Sequence, residues 1–345
     1  MILSGLAYRR RIERKPVLAF LNRHLGRPAV TMDSTLPLAP FASRQARARG
    51  LPQAIAHRGY KARFPENTLA AFRGAVEVGA HAIETDLHLS RDGVVVLSHD
   101  ATLKRCFGDP SRIADHDWEH LSTFRSLREP REPIARLVDL LEYVAKPEQK
   151  HIWLLLDIKT DDDISEMFTS LAAALASVPT DVPWNQRIIL GLWTVEWVAA
   201  CLRTLAEFPM SLIAWSPSLV SALLPVPNLN FTMFNYSFAT PSGSRLRQQA
   251  KQRSRLVFSW TDNADEWMVS SIRNEIDGVV TDDPKRLLEL CDQKSPKAAQ
   301  EVKSIITAKE TILWVVGNFL VLATEIVLWF TKGSPRSQVK KTLGV

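Results

Sequence analysis

The chain has 345 residues, 46% of them hydrophobic and 23% charged, with a formal charge of +6. That length holds one domain of roughly 250 residues with flanking segments, or two smaller domains. Residues 1–50 carry ten Arg and Lys against Glu13 and Asp33, a local balance of +8, so the other 295 residues stand at −2. A nearly neutral body with a basic segment attached argues against a nucleic-acid-binding domain. It points instead to targeting or a membrane-surface role at the N-terminus.

In chain order, the opening MILSGLAYRRRIERKPVLAFLNRHLGRPAV is rich in Arg, and Val17, Leu18, Leu21 and Leu25 fall on one helical face. A basic amphipathic helix there suits a mitochondrial presequence or an interfacial anchor, and the bland reading is an unstructured basic tail. Residues 31–53, with Pro37, Pro40 and Pro52, read as linker. From Ala54 short apolar runs alternate with longer amphipathic stretches. Strands are predicted at 54–57, 82–87, 152–158, 188–193, 211–215, 231–235, 256–260 and 278–281, with helices such as 68–78, 163–175, 195–207 and 264–273 between them. Eight strands with crossover helices favour a (β/α)8 TIM barrel of the α/β class over an open doubly wound sheet.

After the second strand, SRDG at 90–93 is a turn signal and VVVLSHD at 94–100 a further strand. A β-hairpin insertion after strand 2 follows, returning His99 to the barrel mouth. Residues 101–150 form a longer excursion of the kind that shapes a substrate pocket. Cys106, Cys201 and Cys291 are too widely spaced for a disulfide framework or a zinc site and imply reduced thiols facing cytosol.

Beyond a charged stretch lies TILWVVGNFLVLATEIVLWF, residues 311–330, interrupted by Asn318 and Glu325. Twenty helical residues span about 30 Å, the thickness of a bilayer core, so a C-terminal hydrophobic membrane helix is predicted. Glu325 argues mildly against a plain span, because an acid near the bilayer centre costs about 2.5–3.5 kcal/mol on insertion scales. Thr311, Asn318, Glu325 and Lys332 recur every seven residues as one narrow polar seam, suited to lying in the interface or packing on another helix. Trp314, Trp329 and the basic Lys332, Arg336, Lys340 and Lys341 suit interfacial anchoring. The parts are therefore a basic extension and linker (1–53), a catalytic barrel (54–292), a membrane-anchoring helix (311–330) and a basic tail (331–345).

The chemistry belongs at the carboxyl ends of the strands. His57 and Arg58 follow strand one, Glu84 and Asp86 share one face of strand two, and Asp157 and Lys159 share one face of the strand at 152–158. Three carboxylates gathered in a barrel mouth need a cation, and all-oxygen ligation suits Mg²⁺ or Ca²⁺ rather than zinc. Arg58 and Lys159 beside it suit a phosphate. His57 and His99 suit general base and acid, with unperturbed pKa values of about 6.5. Taken singly, each has a bland reading: Asp157 as an ion-pair partner of Lys159, Glu66 as an ordinary first-turn acid.

AHRGYKARFPENTLAAF, AIETDLHLSRDGVVVLSHD and LLLDIK, followed by ILGLW, SWTDN and GVVTDDP, resemble the glycerophosphodiester phosphodiesterase family over about residues 54–290. The resemblance implies His57 and His99 as the acid–base pair, Glu84 and Asp86 as metal ligands, Arg58 as a phosphate contact, and Glu66 and Lys159 as supports of phosphate and metal. The chain departs from the family at Asp157, where Glu is common. With its hydrophobic C-terminal segment the chain is similar to the phosphatidylglycerol-specific phospholipase C branch. That implies a membrane phospholipid substrate cleaved to diacylglycerol and glycerol 3-phosphate, with the headgroup's own hydroxyl or water as nucleophile. A membrane setting such as endoplasmic reticulum, lipid droplet or mitochondrion follows. Three alternatives remain: the same chemistry on water-soluble diesters, a lysophospholipase D, and an inactive membrane-tethered scaffold.

Overall fold

Each apolar run becomes a strand: β1 (Gln53–His57), β2 (Ala82–Leu89), β3 (Val95–Leu97), β4 (Trp153–Ile158), β5 (Ile188–Leu192), β6 (Met210–Ala214), β7 (Asn230–Phe234), β8 (Val257–Trp260) and β9 (Gly278–Thr281). The computed structural model describes residues 38–47, 49–238, 240–293 and 308–344, without the side chains of 293 and 308–314. The basic N-terminal helix and the side chains of Thr311 and Trp314 lie outside what is described. Eight strands pair in parallel in the order β1-β9-β8-β7-β6-β5-β4-β2, and β1 also pairs β2, which closes the barrel. The ninth, β3, is antiparallel on β2, pairing Leu87 with Leu97 and Leu89 with Val95. This is the TIM barrel with a hairpin after the second strand that the sequence predicts.

Side-chain alternation divides the core. Ile55, Ala82, Trp153, Leu155, Ile189, Phe258 and Val280 fill the barrel interior, while Phe72, Ile83, Leu87, Leu154, Leu156, Phe168, Leu190 and Leu192 face the surrounding helices. Those helices are α1 (Leu69–Glu77), α2 (Leu137–Val144), α3 (Ile164–Ser177), α4 (Val195–Thr204), α5 (Pro217–Leu223), α6 (Pro241–Gln252), α7 (Asp265–Arg273) and α8 (Pro284–Gln293). Several start on a side-chain cap: Thr68, Asp163, Thr194, Ser216 and Thr240 each accept a first-turn backbone N–H.

Two stretches differ from the expectation. Residues 38–47, read as linker, make two 3-10 turns (Pro40–Ala42 and Arg44–Ala46) whose Ala39 and Ala42 are buried against the barrel interior. Gln53 fixes them, donating to the Phe41 and Ser43 carbonyls at 2.8 Å. An alternation of small and apolar residues too short for a helix hid this plug. Residues 331–345, read as a basic tail, contain α10 (Pro335–Leu343), which buries Val339 and Leu343 against α4 and α5.

The predicted membrane helix is α9 (Ala308–Lys332), and its part Val315–Lys332 is long and apolar enough to cross a membrane by length and composition. It packs beside the carboxyl ends of the strands. Glu325 of the polar seam turns inward, accepting from Ser216 Oγ at 2.8 Å, from the Ser218 N–H at 2.9 Å and from Ser218 Oγ. Phe319, Leu322, Ile326, Val327, Trp329 and Phe330 face outward and are exposed.

One titration follows from the fold. His81 Nδ1 accepts the Ala54 N–H at 2.8 Å, and burial, helped by Arg47 and His151, lowers its pKa to about 4. The unfolded ring takes a proton near 6.5 and the folded ring resists, so stability is lost as pH falls from 6.5 towards 4. An NMR titration should find the His81 ring neutral until about pH 4. A midpoint of 6 or above would contradict this burial effect.

Candidate active site

Strand register assembles the site. β1 sets His57 beside Glu84, and β4 sets Asp157 beside Asp86. Period-two alternation then aims Glu84, Asp86 and Asp157 into one mouth. Each offers an oxygen, and these atoms lie within 4.8 Å of one another, all on buried residues. Around them is a cavity of about 140 Å³ reached by His57, Arg58, His99, Lys159, Trp193 and Trp215.

At the end of β1 the chain turns sharply. Arg58 has φ +55° and Gly59 φ +81°. A Cβ on Gly59 would stand 2.7 Å from Ala71, so glycine lets α1 approach the strand end. The turn directs the Arg58 N–H to Glu84 Oε2 at 2.9 Å and its guanidinium to Glu66 at 2.8 Å and Asp86 at 3.2 Å. Glu66 is not a first-turn acid, since it precedes the Thr68 cap of α1; it also pairs with Arg105 through two 2.8 Å contacts. Burial works against its charge, but Arg105 and Arg58 outweigh that and hold its pKa at about 2.

Lys159 stands between two of the carboxylates, its Nζ 2.5 Å from Asp157 Oδ2 and 2.7 Å from Asp86 Oδ1. The ammonium pairs with both acids while the side chain also lines the cavity. Burial also opposes the charge on Asp86, but Lys159 and Arg58 overcome it and keep its pKa far down. Glu84 goes the other way: burial first, then Asp86 and Asp157, push its pKa well up. Burial raises Asp157 as well.

That imbalance is the test of a metal. Two cationic side chains do not satisfy three buried acids, and a hard divalent cation accepting their oxygens relieves the crowding that raises Glu84. The carboxylate donor set fits such an ion.

Each histidine is held by a carboxylate the sequence reading missed. His57 Nδ1 lies 2.5 Å from Asp282 Oδ1, and Lys61 holds Asp282 Oδ2 at 3.1 Å. His99 Nδ1 lies 2.7 Å from Asp100 Oδ1. The His57 pKa is lowered, chiefly by burial, against the upward pull of Asp282. Asn67 (φ +55°) donates to Asp86 Oδ2 at 2.9 Å and accepts from Thr85 at 2.8 Å. Trp193 Nε1 donates to Asp157 Oδ1 at 2.6 Å. Buried His88 meets Asp162 at 2.8 Å and the His99 carbonyl at 3.3 Å, bracing the returning hairpin arm. Asp282 and Asp100 stood in motifs already quoted, TDDP and SHD. Asn67 sits beside Glu66 in PENT.

The sequence model of the Glycerophosphoryl diester phosphodiesterase family matches residues 57–286. A glycerophosphodiester phosphodiesterase of Caldanaerobacter subterraneus subsp. tengcongensis is 27% identical over 244 residues, covering 68% of this chain and 96% of that protein. Human lysophospholipase D GDPD1 is 38% identical over 96 residues, 28% of this chain and 31% of its own length. Among solved structures, the glycerophosphodiester phosphodiesterase of Thermotoga maritima has a TM-score of 0.57 at 25% identity, covering 69% of this chain and 98% of that one. An Oleispira antarctica phosphodiesterase in complex with the product sn-glycerol-3-phosphate has a TM-score of 0.61 at 22% identity, covering 70% and 97%; at that identity the likeness is one of fold. Since the matched segment contains every residue of the acid cluster and both histidines, the chain belongs to the glycerophosphoryl diester phosphodiesterase family of phosphoric diester hydrolases.

Proposed function

We propose that this enzyme is a phospholipase C that cleaves phosphatidylglycerol at a membrane surface, giving diacylglycerol and glycerol 3-phosphate. The observation that carries the lipid reading is the placement of α9. Its apolar face is exposed, its polar Glu325 is spent on the barrel rim, and an aromatic series runs from it to the acid cluster. Tyr236 meets Gly317 of α9; it stacks on Phe234 at 5.0 Å, Phe234 on Trp215 at 4.2 Å, and Trp215 meets Trp260 at 5.1 Å. A helix held to the barrel along one side suits lying in one leaflet better than spanning the bilayer. The basic residues of α10 suit anionic headgroups.

Glu84, Asp86 and Asp157 would hold the divalent cation, Mg²⁺ or Ca²⁺, which supplies charge neutralisation to a phosphoryl oxygen. Arg58, clamped by Glu66 and Asp86, presents its guanidinium to the phosphate. Lys159 supports the acids, holding Asp86 low and opposing the upward push of burial on Asp157. His57 is the base: burial favours its neutral form, and Asp282 on Nδ1 leaves Nε2 to take a proton from the nucleophile. His99, set by Asp100 and braced by His88, returns a proton to the departing diacylglycerol oxygen. If the nucleophile is the headgroup's neighbouring hydroxyl, a cyclic glycerol phosphate forms first and water opens it. Full activity on a lipid lacking that hydroxyl removes this route in favour of water.

A second reading, lysophospholipase D cleavage on the headgroup side, is favoured by the likeness to human lysophospholipase D GDPD1. The test incubates the full chain with phosphatidylglycerol, glycerophosphoglycerol and a lysophospholipid, with and without chelator. Diacylglycerol from the first, abolished by chelator, is expected. Lysophosphatidic acid from the lysophospholipid alone would select the second reading. Turnover of glycerophosphoglycerol alone would make the substrate a soluble diester, and no turnover at all would leave a scaffold.

A further inference from the structure

A second cavity, of about 290 Å³, abuts the acid-cluster cavity. Trp193, Ile213 and Trp215 line both, so the two lie on either side of the same three side chains. Its far wall is not barrel: Thr324, Leu328 and Lys332 of α9 close it opposite Val195 and Leu219. Leu219 belongs to α5, whose first residues Glu325 grips, so the contact that pins α9 also sets the width of this cleft.

We propose that this cleft is an acyl-chain subsite, taking the first methylenes of one fatty acyl chain of the substrate; it rests on the reading that the substrate is a glycerophospholipid. Three observations point to that occupant. Val195, Ile213, Leu219 and Leu328 make the walls of the cleft mainly apolar, which suits a chain better than a soluble headgroup, with Thr160, Thr194, Thr324 and Gln338 among the polar groups between them. It begins at the residues lining the phosphate cavity, where the glycerol backbone of a bound lipid must lie. It ends at α9, whose outward side chains are apolar, so the rest of the chain can stay in the leaflet. The helix is then a wall of the substrate site as well as an anchor.

The test separates chain binding from anchoring. Monomeric short-chain phosphatidylglycerols, dibutyryl to dioctanoyl, are assayed below their micelle concentrations, with glycerophosphoglycerol as the chainless control. For the native chain, kcat/KM should rise with chain length, by up to about fourfold per methylene the cleft buries. Leu328→Trp fills the cleft: the rise should flatten, costing about tenfold or more at dioctanoyl, while glycerophosphoglycerol turnover shows that the barrel is intact. Phe330→Ser, on the outward face (Phe330 is 76% exposed), should weaken vesicle binding and keep the slope.

A native chain-length slope retained in Leu328→Trp, or an equal loss on every substrate including glycerophosphoglycerol, overturns the subsite. So does a native enzyme with no slope at all. If only lysophospholipids are cleaved, the phospholipase C reading fails while the same series in lysophospholipids still decides on the cleft.

Discussion

His57→Ala should lower kcat by about 10²–10⁴-fold, the usual span of a lost acid–base catalyst, with a much smaller change in KM. His57 is outside the lining of the proposed apolar cleft, so substrate binding survives while the proton has nowhere to go. The pH profile distinguishes this from a packing defect. Burial lowers the His57 pKa, and Asp282 opposes it. The base is therefore deprotonated at neutral pH, and the acid limb of kcat/KM lies below the ordinary histidine value of 6.5. A cation among the acids pushes the same way. Asp282→Asn removes the upward pull, so the acid limb should move further down in pH while the plateau falls, because the remaining base is weaker and less well oriented. An acid limb unmoved in Asp282→Asn, or moved up, would take the base role from His57.

The barrel was legible because buried parallel strands need continuous apolar runs, and AIETDL, IWLLLDI, IILGLW and GVVT are such runs. So were the parts of the acid cluster, since alternation puts Glu84 and Asp86 on one face of β2 and Asp157 with Lys159 on one face of β4; the register that sets Asp157 beside Asp86 came only with the folded sheet. What escaped was whatever depends on chain segments far apart. Asp282 reaches His57 only because β9 closes on β1, and Trp193 reaches Asp157 only because β5 follows β4 in the sheet. Lys159 carries charge suited to phosphate, yet its length lets it curl back on Asp157 two residues earlier. The ion pair of the bland reading is present beside the acid group that the metal reading needs. The polar seam of α9 was visible as a period of seven. That it would face the barrel and turn the apolar side outward needed Ser216 and Ser218 to be in place.

Asp86→Asn should abolish turnover and, more tellingly, erase the stabilisation that divalent cation gives the native enzyme. Asp86 has no exposure to solvent and meets Lys159, Arg58 and Asn67 at once. Two effects oppose each other without metal. Breaking a buried ion pair costs about 3–5 kcal/mol, but removing one charge relieves Glu84, which Asp86 helps to push up. The metal-free variant is thus destabilised by less than the pair alone suggests. With metal the native enzyme gains about 2.7 kcal/mol at a hundred times Kd, or about 5–10 °C in Tm for a barrel of this size. The variant, lacking one of three ligands, should gain about 1 °C or less at the same concentration. Glu84 gives the sign with pH. A carboxyl whose folded pKa is raised binds more protons folded than unfolded, so the metal-free native enzyme loses stability as pH climbs above 4.5, until the folded carboxyl has itself ionised. Cation binding removes that loss, so the Tm gain on adding Mg²⁺ or Ca²⁺ should grow from pH 5 to pH 8. A gain independent of pH, or equal in Asp86→Asn, would place the ion somewhere other than these three carboxylates.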